Sequence, residues 1–152
     1  MDILIKLVEE ERVLQFDTFS HSRALELGNF LADRARDKNL AIAIHIDRNG
    51  QSLFHYALPG TTIDNDLWLA GKINVVYYFQ HSSYYVKKML LSKDKEMKKD
   101  LFLDPGRYRA SGGAFPIIVK GSGIVAAAAV SGLPDKDDHE FLTEAIGSFL
   151  EL

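Results

Sequence analysis

A histidine followed by two hydroxyls and two phenols, His81-Ser82-Ser83-Tyr84-Tyr85, is the densest run of proton-handling side chains in the sequence. Imidazole titrates near neutral pH, and neighbouring hydroxyls can orient or relay its proton, so a small-ligand or proton-transfer site is one reading. A serine helix cap followed by aromatic packing is the other. Lys72 interrupts an apolar and aromatic stretch, and Arg107-Tyr108-Arg109 runs into Gly112-Gly113. These cations can hold a carboxylate or another anion, arginine by bidentate contact and lysine as a point charge. Equally, they can lay their stems over aromatic surface and keep their heads in water. The candidate ligand-binding residues are therefore His81, Lys72, Arg107, the backbone amides of Gly112 and Gly113, Trp68 and Tyr84 as stacking walls, and His139.

Histidines invite a test for metal binding, and none of the spacings passes it. His139 stands among Asp135, Asp137, Asp138 and Glu140. Adjacent residues on a helix point about 100° apart, so Asp138 and His139 make a poor chelate and the expected role is a solvated acidic cap. His45 and His55 fall on two strands of one hairpin. The expected register places His55 with the isoleucines of its partner and His45 with the alanines, on opposite faces, so the pair is not expected to share an ion. No metal site is expected, and no catalytic residue can be assigned. Gly112-Gly113 and Gly121-Ser122-Gly123 lack the spacing of a phosphate loop, and no Gly-x-Ser-x-Gly elbow is present.

The elements that must position these residues are legible in outline. Ala24, Leu27, Leu31 and Ala35 recur at helical steps over 22–38, with Arg34, Arg36 and Lys38 in the last turn and Asn39 as a left-handed stop. Leu40 to Ile46 alternates as a strand, Asp47-Arg48-Asn49-Gly50 is a turn, and Gln51 to Ala57 returns antiparallel. A helix follows, with Asp64 as its cap and Leu69, Ile73, Val76 and Tyr77 as its stripe, although Ile73 to Phe79 has strand propensity. Ser82 or Ser83 caps a shorter helix to about Leu91, and the charged stretch Ser92 to Asp100 is a solvated connector or an extension of that helix. Phe115 to Val119 and Ile124 to Val130 form a second hairpin, in which Pro116 implies an edge position or a missing ladder bond. A short helix starts the chain around Leu4 and Leu7, and a last one begins at Asp135, where Asp138 closes a box-like cap. Ala126 to Ala129 offers little side-chain height, so a helix or a neighbouring subunit must approach that strand closely. The pattern is an α+β domain with an antiparallel sheet covered by helices.

Composition bounds the partners. With 152 residues, 47% of them hydrophobic, the chain is sized for a single domain over 1–152. A net charge of -3 argues against nucleic acid or anionic lipid as a general partner. There are no cysteines, which fits a reducing, cytoplasmic setting, and no apolar run approaches the roughly 20 residues that span a membrane.

Motifs spread along the chain carry a resemblance. Gln51 to Thr61, Asp64-Asn65, Trp68, Lys72, His81-Ser82-Ser83-Tyr84, Gly112-Gly113-Ala114-Phe115-Pro116-Ile117 and Val130-Ser131-Gly132-Leu133-Pro134 with Asp138-His139-Glu140 resemble the GlcG/HbpS-like haem-degrading domain superfamily. The resemblance implies a profilin-like fold of three layers, α/β/α, with a central antiparallel sheet of about five strands, and a homo-oligomer built as a ring or stacked rings. It favours haem or a related tetrapyrrole as the ligand class, with histidine as the axial ligand if iron is held. The expected function is a cytosolic homo-oligomer that binds a small anionic or planar ligand. The rivals are a non-catalytic adaptor or assembly protein that binds a protein partner, and a small-metabolite enzyme with a histidine acid or base.

Overall fold

The computed structural model describes residues 2–152. Along them run α1 (Asp2–Val13), β1 (Gln15–Phe16), α2 (His21–Asp37), β2 (Ala43–Arg48), β3 (Gln51–Ala57), α3 (Ile63–Phe79), α4 (Ser83–Ser92), β4 (Ala114–Val119), β5 (Gly123–Ser131) and α5 (Asp135–Phe149). The five strands form one sheet in the order β1-β4-β5-β2-β3. All pairings are antiparallel except the short parallel one between β1 and β4.

Side-chain size sorts the two faces. Ile44, Ile46, Phe115, Ile117 and Val130 turn to one side and pack with Leu27 and Leu31 of α2 and Leu142 and Ile146 of α5. Ala43, Ala114, Ala127 and Ala129 turn to the other, against Leu69, Ile73 and Val76 of α3. The alanine strand is the sheet's centre, and α3 is the helix that approaches it. This is the three-layer arrangement expected, with helices burying both faces of the sheet.

Local chemistry sets the ends of the elements. Asn39 takes φ +55 and closes α2, as expected of a left-handed stop. The α3 stretch is helical despite its strand propensity, because its start is fixed by a capping box. Thr62 Oγ1 accepts from Asp64 N, and Asn65 Oδ1 accepts from Thr62 N at 2.9 Å. The cap is thus Thr62, two residues ahead of the expected Asp64. Ser82 caps α4 by accepting from Tyr85 N at 3.2 Å. Pro116 lies in β4 beyond the reach of two-residue β1, where no ladder bond is required of it. The first long strand begins at Ala43 rather than Leu40, whose N–H instead bonds Ala35 O at the end of α2.

The register of the first hairpin differs from the expected one, with consequences for two histidines. Arg48 pairs with Gln51 and Asp47 with Ser52 around the Asn49-Gly50 turn, but the next pair is Ile46 with Phe54. Leu53 is the extra residue of a β-bulge. One inserted residue reverses every later side chain, so Phe54 and Tyr56 join the isoleucine face and His55 lands directly opposite His45. The two histidines share a face, contrary to the expectation from sequence.

Candidate functional site

The first turn of α5 organises most of the candidate residues. Lys72 enters from α3, and its Nζ donates to Val130 O at 3.0 Å and to Asp138 Oδ2 at 3.2 Å. Both side chains are only 2% exposed, so neither of the roles expected for Lys72, anion binder or surface cation, describes it. It is a buried ion pair. Asp138 also accepts from Leu133 N at 3.1 Å and Gly132 N at 3.4 Å, tying the Val130–Pro134 loop to the helix start. The box-like cap expected of it does not form, because Pro134 holds the cap position and has no N–H to donate. Burial pushes the Lys72 pKa down against the pull of Asp138, and pushes the Asp138 pKa up against the pull of Lys72.

The double glycine covers this pair. A Cβ on Gly113 would stand 2.5 Å from Val130 O and 2.6 Å from Lys72 Nζ, and Gly113 also has φ +128. A side chain is barred by both space and backbone conformation. Gly112 N donates to Asp135 Oδ2 at 3.3 Å, and Lys87 of α4 reaches the same oxygen at 2.6 Å. Burial would raise the Asp135 pKa, but the bonds from Lys87 and Gly112 outweigh it and hold the carboxyl below its ordinary range.

The two sequence-nominated histidines are each claimed by a carboxylate of α1. His139 is buried, stacks on Tyr84 with ring centres 5.0 Å apart, and bonds Glu10 Oε1 through Nε2 at 2.8 Å. It is not the solvated cap expected from its acidic neighbours. His81 bonds Glu11 Oε1 through Nδ1 at 2.8 Å, while Glu11 Oε2 accepts from Ser82 N at 3.0 Å. His81 and His139 therefore fasten α1 to the starts of α4 and α5. Arg107 is exposed, and its bonds run through its backbone, where its N–H donates to Asp104 O at 3.0 Å and its carbonyl accepts from Asn74 Nδ2 at 2.8 Å.

Beside this network lies a groove of about 830 Å³ between α4 and the segment 96–111. Leu90, Met97, Tyr108 and Ala110 provide an apolar lining, and Lys98, Arg109 and the Asp135-paired Lys87 bring positive charge to it beside one carboxylate, Glu96. Trp68 stands at one side with the Arg109 guanidinium 4.5 Å from its ring centre. Gly71 lets that arginine lie across α3, since a Cβ there would meet Arg109 Cγ at 2.5 Å. Trp68 and Ser111 also line a smaller cavity of about 240 Å³ that reaches Lys72 and Asp138. Of the candidate residues, Trp68 lines the groove, Lys72 lines the smaller cavity beside it, and His81, Tyr84, Arg107, Gly112, Gly113 and His139 line neither. Leu90 and Met97 were not singled out from sequence, whereas Arg109 was read there as a possible anion contact within the Arg107-Tyr108-Arg109 run. The only signal for the other two was a short helix followed by a charged connector.

A sheet sandwiched between helices, with a ligand-sized cleft at the edge of one helical layer, describes the class of protein. The sequence pattern of the family described as "Haem degrading protein HbpS-like" matches residues 19–147, and the chain belongs to that family. It is 43% identical over 145 residues to a UPF0303 protein of Streptomyces coelicolor, covering 95% of this chain and 92% of that one. A UPF0303 protein of Rhizobium etli is 41% identical over 147 residues, covering 97% and 89%. Among solved structures, Ybr137w aligns with a TM-score of 0.90 at 27% identity over 97% of this chain and 87% of that one. HbpS aligns with a TM-score of 0.68 at 21% identity, covering 90% and 92%. A PduOC–haem complex aligns with a TM-score of 0.69 at 15% identity, covering 86% and 94%, and like HbpS it shares the fold.

Proposed function

We propose that this protein binds a planar, apolar ligand that carries anionic groups, with haem or a related tetrapyrrole as the favoured class, in the groove between α4 and segment 96–111. The observation that carries the reading is the pairing of an apolar lining with Lys87, Lys98 and Arg109 in a groove of about 830 Å³. Apolar walls with a few placed charges are the usual make-up of a small-molecule site. Family membership and the haem-bound PduOC relative in fold support the same ligand class.

The residues present fit the ring and its carboxylates. Leu90 and Met97 would face the macrocycle, Trp68 would flank it, and Arg109 and Lys98 would meet the propionates. Iron, when held, supplies redox and oxygen chemistry, and the groove's own candidates to face it are Met97 and Tyr108 rather than His81. His81 and Lys72, nominated from sequence as ligand contacts, do not line this groove and are taken up by Glu11 and by Asp138. Haemin titration followed by absorbance tests the assignment. A saturable Soret shift at one haemin per chain, weakened at least tenfold by Arg109→Glu with Lys98→Glu, is expected. A shift unchanged by those substitutions would remove it.

A second reading, self-association, rests on a separate feature. Ile63, Leu67 and Tyr78 are 72%, 52% and 55% exposed at helical spacing on α3, an apolar stripe of the kind that marks interfaces. We assign it to a homo-oligomer contact, and Leu67→Lys should lower the mass seen by light scattering. A cytosolic setting belongs to the same reading and is supported by the cysteine-free chain. No helix among the described residues is long and apolar enough to cross a membrane.

A further inference from the structure

Against a different set of α3 residues from those beside the groove, the bulge at Leu53 has placed two imidazoles opposite each other. His45 and His55 are paired residues of β2 and β3, and their Nδ1 atoms stand 3.0 Å apart. We infer that this pair is a two-imidazole chelate for a divalent first-row transition cation that prefers nitrogen donors. Two cis ligands about 2.1 Å from one ion lie roughly 3.0 Å apart at a right angle and about 3.4 Å apart at a tetrahedral angle. The observed separation already matches the bite that such an ion needs.

Tautomer logic strengthens the assignment. Two bare nitrogen lone pairs at this distance repel, so something positive must lie between them, either a proton shared as N–H···N or a cation. Asp66, from the first turn of α3, has Oδ1 3.4 Å from His55 Nε2, and that oxygen is sealed from solvent without a hydrogen-bond partner. The carboxylate therefore favours a proton on Nε2 of His55 and leaves Nδ1 as a donor atom, the carboxylate–histidine arrangement that commonly orients metal ligands. The backbone pairing of the two strands fixes both ring carriers on one face.

The surroundings suit a cation with open coordination positions. The pair borders a cavity of about 290 Å³ lined also by Asp47, Asp66 and Tyr77, enough for waters to complete the shell and with carboxylates to offset its charge. Among the described residues no third histidine, cysteine or carboxylate converges to make a three-ligand cluster, so the protein supplies two donors. Imidazole selects copper, nickel or zinc over magnesium or calcium, whose preferred ligands are oxygens.

The test uses the intact protein titrated with Cu2+ alone. Calorimetry should show one strong equivalent, and electron paramagnetic resonance should show superhyperfine coupling to two imidazole nitrogens. His55→Gln should remove that equivalent. Asp66→Asn, which leaves both rings in place, should weaken it about 10–100-fold. His81→Gln should change neither readout, and Mg2+ in hundredfold excess should displace no copper. Binding that survives in His55→Gln, a signal from a single nitrogen, or displacement by Mg2+ would each overturn the inference.

Discussion

Removing the charge of Lys72 while keeping its stem, as in Lys72→Met, should be among the most damaging single changes to the fold. The ammonium is 2% exposed, 3.2 Å from Asp138 and 3.0 Å from Val130 O, so little of its environment is water. Breaking a buried pair from one side strands the other charge and costs about 3–5 kcal/mol, a large share of the 5–15 kcal/mol that holds a typical domain together. For a chain of this length that corresponds to a fall in Tm of roughly 6–20 °C. The double change Lys72→Met with Asp138→Asn removes both charges and keeps an acceptor for Leu133 N, so it should recover most of the loss. The penalty should also depend on pH. With Lys72 absent, the folded Asp138 pKa stays above its unfolded value, so the variant is least penalised below the unfolded pKa and loses stability as pH rises through the folded one. Urea unfolding of wild type, single and double variants at pH 5 and pH 8 measures all of this. A single-variant loss below 1 kcal/mol, or a double variant no more stable than the single one, would refute the reasoning.

Three further outcomes follow from the same geometry. Gly113→Ala meets Val130 O and Lys72 Nζ inside 3.0 Å at a positive φ, so it should unfold at markedly lower urea than Gly121→Ala, which carries the backbone strain of φ +80 without any clash at its Cβ. Asp135 is held below its ordinary pKa of 3.8, despite its partial burial, by Lys87 and Gly112. Its contribution is therefore complete above that pH and lost as pH falls through the lower folded value, and Lys87→Met should flatten this part of the acid-unfolding curve. Thr62→Ala removes one half of the α3 capping box and should cost about 1 kcal/mol by denaturant titration.

Elements whose cause is local could be read from the sequence. The Asn39 stop, the Ser82 cap, the helical stripe of α3 and the alanine strand's need for a close neighbour all depend on residues within a few positions of one another. The His45 and His55 geometry could not be read, because one unpaired residue at Leu53 decides which face half a strand presents, and nothing in Gln51 to Ala57 marks the bulge. Long-range claims on side chains were equally hidden. A lysine on a helix reads as a surface residue until its partner, 66 residues later, arrives beside it. Nothing local to Glu10 and Glu11 shows that they bond histidines 129 and 70 residues away. Of the groove's lining, the sequence picked out Trp68 and the Arg107-Tyr108-Arg109 run, while the His81 and Lys72 centre it favoured lies outside the groove. Which of its residues face a ligand depends on how α4 packs against a stretch of charged connector.

The sole tryptophan of the chain, Trp68, stands in the wall of the groove, so its fluorescence reports directly on whether a flat anion enters there. Titration with iron-free protoporphyrin IX should quench it saturably at one ligand per chain, and Arg109→Glu with Lys98→Glu should weaken the binding at least tenfold. Fluorescence that falls only linearly with added porphyrin, or a binding curve that the two charge reversals leave in place, would contradict the account.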